Sequence, residues 1–114
     1  MIGRIGERHA FERLTRHGRR AHTPTLWCRY LRDPDVVPPR VAFAIGRAVG
    51  PAVVRNRLRR RLRELLRAAT RGEQPLLSCG QLLIGARPGA GERSFDELGV
   101  EVTDLLTAAV GVPA

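Results

Sequence analysis

The sequence has no lysine. All 20 of its basic residues are arginines, set against 11 acidic residues, and the formal net charge is +9. Aromatic residues are scarce too: one tryptophan, one tyrosine and three phenylalanines in 114 residues. Only two cysteines are present, Cys28 and Cys79, and three histidines, His9, His17 and His22. Each scarcity excludes something. The cysteines form no C-x-x-C pair and the histidines do not supply closely paired ligands, so no metal site is expected. Each cysteine sits in an apolar stretch, which predicts two buried, reduced thiols in a cytosolic protein. No apolar run reaches the ~18 residues of a membrane span. The opening segment, Met1 to Arg8, lacks the apolar core of a signal peptide, and the chain therefore reads as cytoplasmic. A protein nuclease working through metal needs clustered carboxylates or histidines, whereas the acids here are scattered.

What is present is apolar residue enough for one core, 43% of the chain, in a length that suits one small domain, 1–114. The charge is unevenly spread. Residues 1–35 carry eight arginines and four acids; 36–87 carry eleven arginines and two acids; 88–114 carry one arginine and five acids. A basic middle with an acidic end points to one binding face rather than to general solubility. Arginine binds phosphate through a planar fork of donors and stacks on bases.

Pattern and punctuation predict the element order α-β-β-β-α-β-α. Residues 8–17 suit a short helix closed by Gly18. Residues 19–23 read as a connection or strand start. Residues 25–32 suit a strand with Leu26, Cys28 and Tyr30 on one face and Trp27, Arg29 and Leu31 on the other. Residues 40–46 alternate Val41, Phe43 and Ile45 with small alanines, which leave either room for a close helix or a shallow floor. Pro51, at the first helical position, opens a helix over 51–69. Its apolar stripe is Val54, Leu58, Leu62, Leu65 and Leu66. Residues 81–87 read as a buried strand. Ser94 and Glu97 form a capping box for a last helix whose apolar side holds Phe95, Leu98, Val102, Leu105, Leu106 and Ala109. The helix between two strands allows those strands to be parallel. Helices on one face of a small sheet make a single-domain α/β sandwich.

The segment 55–67 reads Arg-Asn-Arg-Leu-Arg-Arg-Arg-Leu-Arg-Glu-Leu-Leu-Arg. At 100° per residue its leucines fill one arc, while Asn56, Arg57, Arg59, Arg60, Arg63 and Arg67 fan across the other, with Arg55 and Arg61 at the edges. Arginines at i and i+4 repel by about 0.2–0.5 kcal/mol per pair. Only Glu64 offsets them. A polyanion relieves that repulsion, and release of its counterions adds affinity. An idle basic surface, a membrane-surface helix and DNA binding stay open on charge alone, although the opposite face lacks the aromatic anchors of membrane-surface helices.

Residues 41–63, Val-Ala-Phe-Ala-Ile-Gly-Arg-Ala-Val-Gly-Pro-Ala-Val-Val-Arg-Asn-Arg-Leu-Arg-Arg-Arg-Leu-Arg, resemble the signature of the bacterial ribonuclease P protein family. So do Phe11 followed by Arg16-His17-Gly18, and the strand Leu82 to Arg87. The resemblance implies an α/β sandwich with a left-handed βαβ crossover through the 51–69 helix. It implies that a catalytic RNA subunit cleaves the 5′ leader from precursor tRNA using Mg²⁺, with no cofactor bound by the protein alone and no obligate protein partner. It further implies that Arg55, Asn56, Arg57, Arg59, Arg60 and Arg63, extended by Arg67 and by Arg47 in the basic turn, contact that RNA. A leader cleft is implied around Phe11, Thr15, Trp27 and Arg29, with Thr15 standing where the family has a second aromatic. Gly46, Ala48 and Pro51 depart from the family's usual serine, basic residue and asparagine. A plain RNA-binding module, without a role in cleavage, is the competing reading.

Overall fold

The computed structural model describes residues 2–6 and 8–111; Met1, Glu7 and residues 112–114 of the expected domain lie outside them. The elements are β1 (Gly3–Arg4), α1 (Arg8–His17), β2 (Arg19–His22), β3 (Leu26–Leu31), β4 (Arg40–Ala44), α2 (Ala52–Ala69), β5 (Gln81–Ala86) and α3 (Phe95–Ala109). Short 3-10 turns at Arg47–Val49 and Ala90–Glu92 precede α2 and α3. The expected order is present, with one two-residue strand added in front. Two residues are too few to show a period of their own; β1 is recognisable only through its parallel pairing with β4.

The sheet runs β1-β4-β5-β3-β2. β4 and β5 are neighbours and parallel, joined by α2, while β3 pairs antiparallel with both β5 and β2. Side-chain alternation divides the strands between two faces. On the first face Leu26, Cys28, Tyr30, Val41, Leu82 and Ile84 pack with Leu58, Leu62 and Leu66 of α2 and Leu98, Val102, Leu105 and Leu106 of α3. On the second, Ala10 and Leu14 of α1 join Ile5 against Leu31, Ala42 and Leu83. The helices therefore do not share one face, as the pattern predicts; α1 covers the reverse side. The reason is β5. Its run Leu82-Leu83-Ile84 is apolar on both faces, as a strand at the middle of a sheet requires, and the second face needs its own cover.

Local signals otherwise translate closely. The hydroxyl of Ser94 accepts from the Glu97 amide at 3.1 Å, and the Glu97 carboxylate accepts from the Ser94 amide at 2.9 Å, completing the capping box. The Gly18 amide closes α1 on the Leu14 carbonyl at 3.0 Å, and a Cβ at Gly18 would run into that same carbonyl. Three expectations need correction. Pro51 is not the first helical residue but the cap, its ψ of 167° still extended. Phe95 is 39% exposed, because the first turn of α3 projects beyond the leucine stripe; its ring lies in a shallow surface groove beside Leu65 and Gly99. Cys79 is only half-buried, whereas Cys28 is buried, and burial pushes the Cys28 thiol up to about 11.

Among the described residues Glu101 is the one buried acid. Its carboxylate accepts from the Thr23 hydroxyl at 2.6 Å, the Thr25 amide at 2.8 Å and the Thr25 hydroxyl at 2.7 Å, with the Arg93 guanidinium 3.5 Å away. Burial alone raises its pKa; the Thr23 and Thr25 donors and Arg93 outweigh that and hold it below the usual carboxylate range. The carboxylate thus pins the β2–β3 turn to α3. A lowered native pKa stabilises the fold above the unfolded group's pKa, and that contribution fades as pH drops through the native value. Glu101→Gln should therefore cost about 1–3 kcal/mol at neutral pH. In denaturant melts its deficit against the wild type should shrink at pH values below the ordinary carboxylate range. A deficit independent of pH would show that the charge is not what holds the turn.

Candidate nucleic-acid interface

The arginines of α2 sort by their place around the helix. On the edge toward α3, Arg57 donates to the Gly91 carbonyl at 3.2 Å and Arg61 to the Arg93 carbonyl at 3.4 Å. At the other end of the fan Arg55 donates to the Gly50 carbonyl at 3.2 Å. These three fasten the loops at either side of the helix. Arg59 donates to the Asn56 amide oxygen at 3.0 Å. The Arg63 guanidinium lies 5.5 Å over the centre of the Phe43 ring, a cation–π contact that fixes the side chain without neutralising it. Arg60 and Arg67 are exposed, as are Asn56 and Arg47. Among the described residues every ion pair involves Glu12, Glu97 or Glu101, and none reaches an arginine of α2. Glu64 on the helix itself aside, its positive face therefore has no ion-paired carboxylate among the described residues.

Of the expected cleft residues, Phe11 shares a groove with arginines of α2. A groove of about 560 Å³ runs along the β1–β4 edge. Arg59, Arg63 and Arg67 form one wall, Phe43 and the β1 segment its floor, and Phe11 stands at the far side. Phe11 is 37% exposed and belongs to neither core cluster. β1 and Phe43 are the parts that motif reading missed; alternation marks Phe43 as a core residue and says nothing of an arginine above it.

The remaining cleft residues sit on the face that α1 partly covers. Strand register places Ala44, Gly85, Trp27 and His22 in one row across that face, and Ala42, Leu83, Arg29 and Arg20 in the next. α1 packs on Ala42, Leu83 and Leu31, so the first row is left as a trough at its side. Both readings of the strand's alanines hold: Ala42 lies under the helix and Ala44 in the trough. The Trp27 indole lies against the α-carbon of Gly85, where any Cβ would collide with it. Arg29 donates to the Thr15 carbonyl at 3.2 Å, tying the last turn of α1 to the sheet. The Thr15 hydroxyl bonds back to the Phe11 carbonyl at 2.9 Å.

Among the described residues no three His, Cys, Asp or Glu side chains come together to hold a metal ion, and no helix is long and apolar enough to cross a membrane. The sorting of the arginines has a measurable outcome. Arg57→Ala and Arg61→Ala should each destabilise the fold by about 0.5–1.5 kcal/mol, the worth of a net hydrogen bond. Arg60→Ala and Arg67→Ala, which remove exposed side chains, should stay within about 0.5 kcal/mol of wild type in the same denaturant melts. Equal effects in the two pairs would erase the distinction.

No curated protein matches the chain. Solved structures do. The Staphylococcus aureus RNase P protein superposes with a TM-score of 0.78 at 17% identity, over 91% of this chain and 92% of that one. The Thermotoga maritima RNase P protein, in complex with 1-(4-fluorophenyl)-2-thiourea, gives 0.76 at 20% identity, over 90% and 96%. At such identities these likenesses establish the fold. The family model for ribonuclease P matches residues 3–110, nearly the whole length, and the chain therefore belongs to the ribonuclease P protein family.

Proposed function

We propose that this protein subunit of ribonuclease P grips the catalytic RNA with the outward arginines of α2 and holds the 5′ leader of precursor tRNA in the cleft beside α1. The observation that supports the first half is the sparsely compensated helix: Arg59, Arg60, Arg63 and Arg67 face outward or into one groove, and among the described residues none of them is in an ion pair. Phosphates are the counter-charge such a surface lacks. The second half rests on Phe11 and Trp27. A half-exposed ring beside an arginine-walled groove and an indole laid low in a trough suit bases of a single strand, which stack on aromatic faces irrespective of sequence.

In this reading the RNA performs the cleavage and holds the Mg²⁺. The protein contributes position: a fixed cation surface for one RNA and a narrow channel for the end of another. Because Phe11 borders the groove of Arg59, Arg63 and Arg67, the leader and the catalytic RNA meet there instead of using remote faces. That adjacency suits a cleavage point lying between them.

The decisive experiment is reconstitution of the protein with its cognate catalytic RNA and a precursor tRNA. The holoenzyme should cleave at Mg²⁺ concentrations where the RNA alone is slow, and the protein alone should not cleave. Failure to assist the RNA would reduce the protein to a plain binding module. Cleavage by protein freed of contaminating nucleases would place the chemistry in the chain.

The arginine surface is tested separately by salt. Replacing Arg60 and Arg67 with alanine should weaken binding to the catalytic RNA. It should also flatten the dependence of log K on log salt by about 1 for each phosphate no longer neutralised. An unchanged slope in the double variant would mean that the RNA is held elsewhere.

A further inference from the structure

We propose that the leader cleft extends past Trp27 onto the β2–β3 hairpin, where His22 and Arg20 form an additional nucleotide subsite. The proposal rests on the leader-cleft reading above and adds to it two residues that no motif marks. His22 would stack on a base, and Arg20, together with Arg29, would hold a phosphate.

His22 pairs with Trp27 and Arg20 with Arg29 across the antiparallel ladder, so each pair projects from one face of the sheet. That face is settled by the alternate residues. Ala21 packs into the core of the opposite face, and Arg19 reaches the Ala109 carbonyl of α3 on that same side. Arg20 and His22 therefore point the other way, into the trough, and both are exposed. α1 does not cover this end, since its buried residues rest on Leu31, Ala42 and Leu83.

Two like charges placed directly opposite on a sheet are destabilising, and a charge there is relieved by its complement. Yet no carboxylate among the described residues pairs with Arg20 or Arg29. Arg29 is oriented by the Thr15 carbonyl and keeps its charge. The pair therefore lacks one anion. Beside it, two residues along each strand and so about 7 Å away, runs the row Ala44, Gly85, Trp27, His22. One row offers rings and a low floor, and the other offers cations. A single-stranded nucleic acid has that same layout, with bases along one side and phosphates along the other. A free anion would use the arginines and leave the ring row idle, so the two rows together favour a polynucleotide.

Direction follows from the reading of α2. Cleavage is performed by the RNA that α2 holds in that reading, so the leader starts at the Phe11 end and reaches the hairpin only when it is long enough to cross Trp27. The test uses the reconstituted holoenzyme and precursor tRNAs whose leaders lengthen one nucleotide at a time. The double variant Arg20→Ala, His22→Ala should bind mature tRNA and short-leader substrates as the wild type does. It should lose the affinity gained from the outermost nucleotides, about tenfold if one stacked base is forfeited. His22→Phe, which keeps a ring, should retain most of the gain. Unaltered affinity at every length would overturn the subsite. So would an equal loss at every length, mature tRNA included. Phe11→Ala, measured alongside, keeps the two readings apart. Its loss should set in at the first leader nucleotides; if it has no leader-dependent effect, the cleft itself is misplaced, whatever the hairpin does.

Discussion

Repulsion among the arginines of α2 is the constraint to which the rest of the molecule answers. A helix this positive does not stay formed on propensity, and its i,i+4 neighbours push apart. Three buried leucines, Leu58, Leu62 and Leu66, hold it against β4, β5 and α3. At its edges the charge is used inward: Arg55, Arg57 and Arg61 donate to loop carbonyls that would otherwise need water. What is left facing out is a narrower band than the sequence suggests, with Glu64 the one carboxylate that α2 itself sets among its arginines. The same helix therefore serves as core, as loop fastener and as an outward positive surface, each on a different arc.

Segregation of charge is the complement of that arrangement. Four of the eleven acids, Asp96, Glu97, Glu101 and Asp104, lie in α3, away from the groove, and two of them have structural duties. Glu97 caps the helix and Glu101 anchors the β2–β3 turn. More carboxylates like Glu64 near the arginine band would have relieved its repulsion further. The anchoring by Glu101 also holds the hairpin that carries Arg20 and His22, so an acidic residue positions a basic surface without touching it.

Much of this was legible in the residues. Helix and strand bounds of α1, α2 and β3 fall close to the pattern, because periodicity and punctuation act locally. The leucine stripe and the opposing arginines follow from 100° geometry alone. The location of α1 was not legible: Ala10 and Leu14 mark a buried face, but which sheet face they bury against depends on Leu83, far along the chain. β1 was invisible for the same reason, its only signal being a partner in β4. Within the candidate site, the division of arginines into fasteners and free cations depends on where the loop at 89–93 returns, and no spacing in 55–67 encodes that. The pairing of Arg20 with Arg29 likewise needs the register of a turn. Family resemblance supplied the cleft residues; tertiary contact showed that Phe11 and the arginine helix share one groove.

Gly85 sets the height of the Trp27 ring from beneath. It sits on β5 and offers no side chain, yet the indole of Trp27 lies low only because nothing occupies the space above its α-carbon. A single methyl at this position would lift the ring toward solvent and shallow the trough along its whole row. The height of the ring is thus written in an atom that is missing from a strand of the core.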